Sequence, residues 1–333
     1  MQIHYFQRYY QKENVVTANS MLLLSRLYTH SPKYFYSLLK SCFLTNESNI
    51  GLNITLQTKE KNSVPDAVIS QESFKIVIET KLYDVFSLKQ LKNHTQSFGD
   101  EKYKVLLSLS PGGMDKQIEQ VLLKKLQGTG IYHKSMTFNN LIEEIEEVLF
   151  GDKDEEMANI LDDYRSFCYE SGLLPDSWKW LKIRAVNTTY EINTKYNLYY
   201  NWAETPGATG YDYLGLYKNK KVSKIGKIIA RIIASLEGNE VKYIIEQGEM
   251  TEDIEKRISL AIKESQNGYG YRMDKPHRFY IMEEFVKTNY KKTSKGGLWG
   301  TKNVNLVEIM GTALNKDTDA SEIAKVLEEK TWV

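Results

Sequence analysis

Apolar and aromatic residues recur at near-helical spacing through Phe6, Tyr9, Tyr10, Val16, Met21, Leu24 and Leu27, which predicts one long helix over residues 4–29. Ser31-Pro32 ends it, and a second helix starts at 34 and runs to 43. The period then changes. Residues 52–58 alternate and predict a strand, and residues 64–69 and 74–82 predict two more, joined by a turn over 70–73. The last of these holds the run Phe74-Lys75-Ile76-Val77-Ile78, rich in the β-branched and aromatic residues that suit a pleated surface. Ser87 caps a helix reaching Phe98. A buried-type strand over 103–109, a helix over 115–126, a strand over 131–138 and a helix over 139–150 follow. From the second helix on, the order α, β, β, β, α, β, α, β, α predicts an α/β fold, a mixed sheet flanked by helices.

Residues 143–163 carry ten acidic side chains against the single Lys153. Such a run predicts a solvated helix face, here an acidic helical connector over 151–175 that repels nucleic acid. The second half has another texture. Residues 178–186 and 197–202 are rich in Trp and Tyr. Strands are predicted over 212–217, 222–236, 243–246, 278–287 and 304–310, with a hairpin turn at 218–221. Helices are predicted over 251–266, capped by Thr251, and over 321–330. The expected plan is a domain over 1–150, the connector, and an α+β or β-barrel-like domain over 176–333.

Composition adds limits. A chain of 333 residues with 41% hydrophobic and 26% charged residues has room for two globular domains. The net charge of +1 supplies no global field for nucleic acid, so any such surface is a local patch. Cys42 and Cys168 lie far apart and fit reduced thiols rather than a disulfide or zinc framework. The longest early apolar run, residues 21–24, is too short for a membrane span and no signal peptide precedes it. A soluble cytoplasmic protein with no membrane partner is expected.

The candidate chemistry lies in Ser63 to Leu82. Pro65-Asp66 precedes one strand, and Glu79-Thr80-Lys81 ends the next, with twelve residues separating Asp66 from Glu79. Strand side chains alternate, so Glu79 and Lys81 share a face, and a hairpin brings Asp66 beside them. Two carboxylates and an ammonium suit metal-assisted phosphodiester hydrolysis, because hard divalent cations prefer carboxylate oxygens. Glu-x-Lys recurs at Glu240-Val241-Lys242 and Glu328-Glu329-Lys330, and Pro-Asp at Pro175-Asp176, but only the first copy has the strand, turn, strand setting. The arrangement resembles the PD-(D/E)xK nuclease superfamily, with its restriction-endonuclease-like fold, over about residues 1–150. The matching residues are Pro65, Asp66, Glu79 and Lys81.

That resemblance implies an Mg²⁺-dependent endonuclease, with Mn²⁺ as a substitute, acting on DNA in restriction or phage defence; RNA is a second candidate substrate. It implies Asp66 and Glu79 as metal ligands and Lys81 as a catalytic group. Several families in the superfamily carry a helical glutamate aimed at the metal, and Glu13 is the candidate. Gln90 matches, by position, a glutamine on the helix after the Glu-x-Lys strand. The tyrosine often found four residues later is His94 here, read as a surface or hydrogen-bonded histidine. Ser110-Pro111-Gly112-Gly113 lacks the Lys-Ser/Thr of a P-loop and reads as a turn.

Two basic stretches supply local patches. Lys218, Lys220, Lys221, Lys224, Lys227 and Arg231 fall within fourteen residues, and Lys291, Lys292 and Lys295 precede Trp299 in a Gly- and Ser/Thr-bearing stretch. Lysines and backbone NH groups suit phosphate, and Trp299 suits base stacking. A small nucleotide ligand or a protein partner at this domain is the alternative, and a homo-oligomer is expected. Two other classes stay open: a ligand-activated effector nuclease, and a catalytically idle binding or scaffold protein.

Overall fold

The computed structural model describes residues 4–8, 13–43, 53–57, 64–70, 74–149, 154–238, 240–273, 275–298 and 300–333. The fold is mixed α/β, and the chain divides into two compact units, His4–Pro175 and Asp176–Val333. Among the described residues no helix is long and apolar enough to cross a membrane.

The N-terminal unit opens with helices α1 (Glu13–His30) and α2 (Pro32–Phe43), then strands β1 (Asn53–Leu56), β2 (Ala67–Ser70) and β3 (Phe74–Thr80). Helix α3 (Leu88–His94), β4 (Tyr103–Ser110), α4 (Lys116–Leu126), β5 (Ile131–Thr137), α5 (Phe138–Leu149) and α6 (Glu155–Glu170) complete it. The sheet order is β1-β2-β3-β4-β5, antiparallel from β1 to β3 and parallel from β3 to β5. Strand alternation sorts β3 between two cores. Ile76 and Ile78 join Leu107 and Leu109 in the larger core, with side chains of α1, α2, α5 and α6. Val77 faces the other way, with Leu106, Leu91 of α3 and Leu122 of α4. Glu79 shares Val77's parity and so lies on the α3 side of the sheet.

Two sequence expectations change here. The first helix does not begin at residue 4; the described helix starts at Glu13. Residues 4–8 are instead held by a buried carboxylate, Asp163, which accepts from the Tyr5 amide at 2.6 Å and pairs with Arg8, with His4 Nδ1 at 3.2 Å. A local periodicity cannot anticipate a partner so far along the chain. The acidic stretch is likewise no solvated connector. Helix α6 buries Met157, Ile160, Leu161, Tyr164, Phe167 and Cys168 in the larger core, and Arg165 pairs with Glu146 at 2.9 Å. Its charges read as a solvated face because apolar residues hold only one stripe of the helix. Burial pushes the thiols of Cys42 to about 11 and Cys168 to about 12, so both are inert.

The C-terminal unit contains β6 (Trp180–Ala185), α7 (Tyr190–Tyr196), β7 (Leu198–Trp202), β8 (Tyr213–Lys218), β9 (Lys221–Glu237) and β10 (Glu240–Gln247). Then come α8 (Glu252–Tyr269), β11 (His277–Met282), β12 (Val286–Lys292), β13 (Thr301–Asn305), α9 (Leu306–Met310), α10 (Ala320–Glu328) and β14 (Thr331–Trp332). The seventeen-residue β9 organises it, pairing with β8 and β12 in its first half and with β10 and β11 in its second. The strand path β13-β6-β8-β9-β11-β7 is not closed among the described residues, so the α+β alternative applies rather than a barrel. The predicted strand over 278–287 is two strands, β11 and β12, and that over 304–310 ends at Asn305, whose side chain caps α9.

Candidate metal centre

Four side chains from separate elements meet at the end of β3. Glu13 comes from the first turn of α1, Asp66 from the residue before β2, Glu79 from β3, and Lys81 from just beyond it. The backbone fixes the last three. Lys81 N continues the parallel ladder by donating to Leu109 O at 2.9 Å, and Thr80 N donates to Asp66 Oδ2 at 2.8 Å. The Ala67↔Ile78 register places Asp66 beside the Glu79-Thr80 step. Carboxylate oxygens of Glu13, Asp66 and Glu79 all lie within 4.8 Å of one another.

Lys81 sits among them, its Nζ 2.6 Å from Glu13 Oε1 and 2.6 Å from Glu79 Oε1. Glu79 is 1% exposed, and its second oxygen, Oε2, is 2.7 Å from His94 Nε2, itself buried. The Lys81 charge thus faces one oxygen of this carboxylate and His94 the other. Burial, and then the charge of Glu79, pushes Asp66 up to about 6, against the Thr80 amide and Lys81, which pull it down. Burial works against the Lys81 charge, but the carboxylates of Glu13, which accepts its hydrogen bond, and Glu79 outweigh it and hold the ammonium above its ordinary range.

Three carboxylates against one ammonium leave an excess of two negative charges when all are ionised. A divalent cation neutralises that excess, and the donors are all hard carboxylate oxygens, which is the set that Mg²⁺ and Mn²⁺ prefer. The residues present therefore fit such an ion.

Gln90 is half-buried one turn before His94, and its backbone amide donates to the Ser87 cap at 3.4 Å. It is His94 that α3 delivers to Glu79. Residues four apart on a helix share a face, so the Gln90-to-His94 spacing was the signal for this contact. Next to the site, Ser108 pairs in register with Glu79 and its Oγ is 3.0 Å from His133 Nε2, with Glu119 3.4 Å from His133 Nδ1. This Ser-His-Glu row is no nucleophilic triad, because Ser108 has no exposed surface. Burial lowers His133 to about 4, so the imidazole is neutral at pH 7 and makes no ion pair with Glu119.

The lysines of the C-terminal unit divide by environment. Lys224 donates to Phe285 O at 3.1 Å, Lys227 to Lys316 O at 3.0 Å, and Arg231 to Gln247 and the Tyr211 carbonyl. These cations serve internal acceptors, so the expected continuous phosphate patch is smaller than the sequence suggests. Lys218 lies 4.6 Å over the Tyr190 ring and 3.7 Å from Glu191. Lys292 is buried and bonded to Ser294; burial first, then Lys220 and Lys302, hold its ammonium below the ordinary range. Lys220, Lys291 and Lys295 are exposed, and Lys221 is half-buried on β9. Trp299 lies outside the described residues.

Compared with family models, curated proteins and solved structures, the chain matches none.

Proposed function

We propose that the N-terminal unit is a divalent-metal-dependent endonuclease of the PD-(D/E)xK type, acting on DNA in restriction or phage defence. The C-terminal unit then serves target or ligand recognition. The observation that carries this reading is the convergence of Glu13, Asp66 and Glu79 within 4.8 Å, with the Lys81 ammonium between two of them. Structural ion pairs are common, but three carboxylates around one lysine cost stability unless a cation offsets them.

Glu13, Asp66 and Glu79 would hold Mg²⁺ or Mn²⁺. Such an ion, when bound, polarises a phosphoryl oxygen and lowers the pKa of a coordinated water. The chain supplies the positioning. The Thr80 amide fixes the Asp66 carboxylate, and His94 fixes that of Glu79. Lys81, kept charged by its two glutamates, donates hydrogen bonds to the attacking water and to the charge that develops on the phosphoryl group.

Cleavage of plasmid DNA is expected with Mg²⁺ or Mn²⁺ and absent in EDTA, and parallel single-stranded RNA tests the substrate class. Full activity of carefully stripped protein in EDTA would overturn the metal mechanism. DNA contact is expected through the exposed lysines. Replacing Lys220, Lys291 and Lys295 by Ala should weaken DNA binding and reduce the slope of log affinity against log salt by about one for each phosphate that is no longer neutralised. Lys224→Ala, at a lysine bonded to a carbonyl, should leave that slope unchanged. A triple variant with the wild-type slope assigns the surface to another partner.

A further inference from the structure

One face of the C-terminal sheet carries a buried group of cations and tyrosines that plays no part in the metal centre. Tyr280 of β11 lies directly opposite Arg231 of β9 and Tyr199 of β7 in the ladder. The Tyr280 ring is 5.7 Å from that of Tyr199 and stacks at 6.2 Å on Tyr211, which precedes β8. The Lys182 ammonium lies 5.5 Å and the Arg231 guanidinium 5.4 Å from the Tyr211 ring, with Arg184 5.7 Å from Tyr199. Tyr280 and Lys182 are 0% exposed, Tyr211 1%, and Arg184 and Arg231 6%.

Arg278, in the same cluster, shows what a completed site looks like. Glu246 grips it at 2.7 and 3.0 Å, and Thr205 O accepts from it at 3.0 Å. Arg231 is different. Its terminal nitrogens reach Gln247 and the Tyr211 carbonyl, but its Nε finds no acceptor, and the hydroxyls of Tyr211 and Tyr280 have none but each other. Burial keeps the Tyr211 hydroxyl protonated well beyond its ordinary range, with Tyr280 adding to that and Arg184 and Arg231 opposing it. The unsatisfied groups are thus donors gathered in a positive field. A buried donor without an acceptor is costly, and in folded proteins such groups are matched by ions or water. An acceptor-only ligand with several oxygens and negative charge answers all three at once.

We infer that the C-terminal unit binds a small phosphate-class oxyanion, inorganic phosphate or the phosphate of a mononucleotide, through Arg231, Tyr211 and Tyr280. Lys182 and Arg184 add to the field. The burial of all five side chains favours a small single anion over a polynucleotide backbone, which lies along an open groove. The inference is independent of the metal centre.

Calorimetric titration of the full chain tests it, after dialysis free of phosphate and sulfate and with ionic strength held by NaCl. Inorganic phosphate and adenosine monophosphate are the two probes, and oligothymidylate is the competitor. Saturable binding of at least one probe, with a rise in melting temperature beyond that given by NaCl, is expected. The Tyr211→Phe/Tyr280→Phe variant keeps both rings and loses both hydroxyls, so its affinity should fall about tenfold or more for comparable melting. Arg231→Gln, which keeps a neutral donor, should abolish saturation. No saturable binding of either probe up to about 10 mM, a bound weaker than any specific site of this kind, would overturn the inference. Unchanged affinity in the folded double variant, or competition by oligothymidylate, would also do so. The two probes separate a free-phosphate site from a nucleotide site.

Discussion

Glu79→Gln should lower the cleavage rate by about 10²- to 10³-fold, the size of loss typical when one preorganised electrostatic group is removed. The substitution is nearly isosteric at a position that is 1% exposed. It keeps an oxygen and an amide to face Lys81 and His94, which lie 2.6 and 2.7 Å from the present carboxylate. The fold should therefore survive, and what is lost is charge. An amide is a poor ligand for a hard cation, so affinity for Mn²⁺ should fall in the same experiment. Circular dichroism checks the fold, calorimetry the metal, and single-turnover cleavage the rate. Wild-type turnover from folded Glu79→Gln protein would remove the carboxylate cluster from the chemistry. His94→Ala should act in the same direction but less, because it frees the carboxylate to turn without removing its charge.

Some of this geometry was legible in the sequence, for reasons that differ residue by residue. The pair Glu79 and Lys81 followed from strand alternation, and Asp66 followed from the hairpin, since both are local rules. The sheet was legible too, because Ile76 to Ile78 is a β-branched apolar run and both it and the apolar run Val105 to Leu107 are too short for helices. Glu13 is another matter. Nothing local aims a helical glutamate at a strand so far along the sequence, and it entered only through the resemblance. His94 was read as a surface or hydrogen-bonded side chain, and its bond to Glu79 depends on how α3 lies on the sheet. Failures of local reading also share a cause. Asp163 lies within an acidic run, yet it is a buried anchor for Tyr5 and Arg8. Lys224, Lys227 and Arg231 form a basic run, yet they serve carbonyls and an amide within their own unit. Charge along a sequence records what a segment carries, and only tertiary contacts decide which charges face water.

Lys81→Ala should lower turnover by about a hundredfold or more, and it should also sharpen how the metal-free protein responds to pH. The ammonium pairs with both Glu13 and Glu79, so its removal leaves three carboxylates within 4.8 Å of one another without it. Asp66 already sits at about 6 rather than 3.8, and Lys81 is one of the groups holding it down. Without Lys81 its acidity should weaken further. A carboxyl that binds its proton more tightly in the folded state stabilises the fold fully below the unfolded pKa, and that stabilisation is lost as pH rises through the folded value. Metal-free Lys81→Ala protein should thus melt higher near pH 5 than near pH 8, by more than the wild type does. Mg²⁺ should restore the loss at pH 8, where the carboxylates are ionised, and do little at pH 5, where a proton competes for Asp66. Thermal melts at both pH values, with and without Mg²⁺, measure all four terms. Asp66→Asn offers the matching control: it should lose cleavage and metal affinity together, yet melt higher than wild type at pH 8 because the ionisation penalty is gone. A Lys81→Ala protein with wild-type turnover and a wild-type pH profile would reduce the whole cluster to a structural ion pair at the end of an ordinary hairpin.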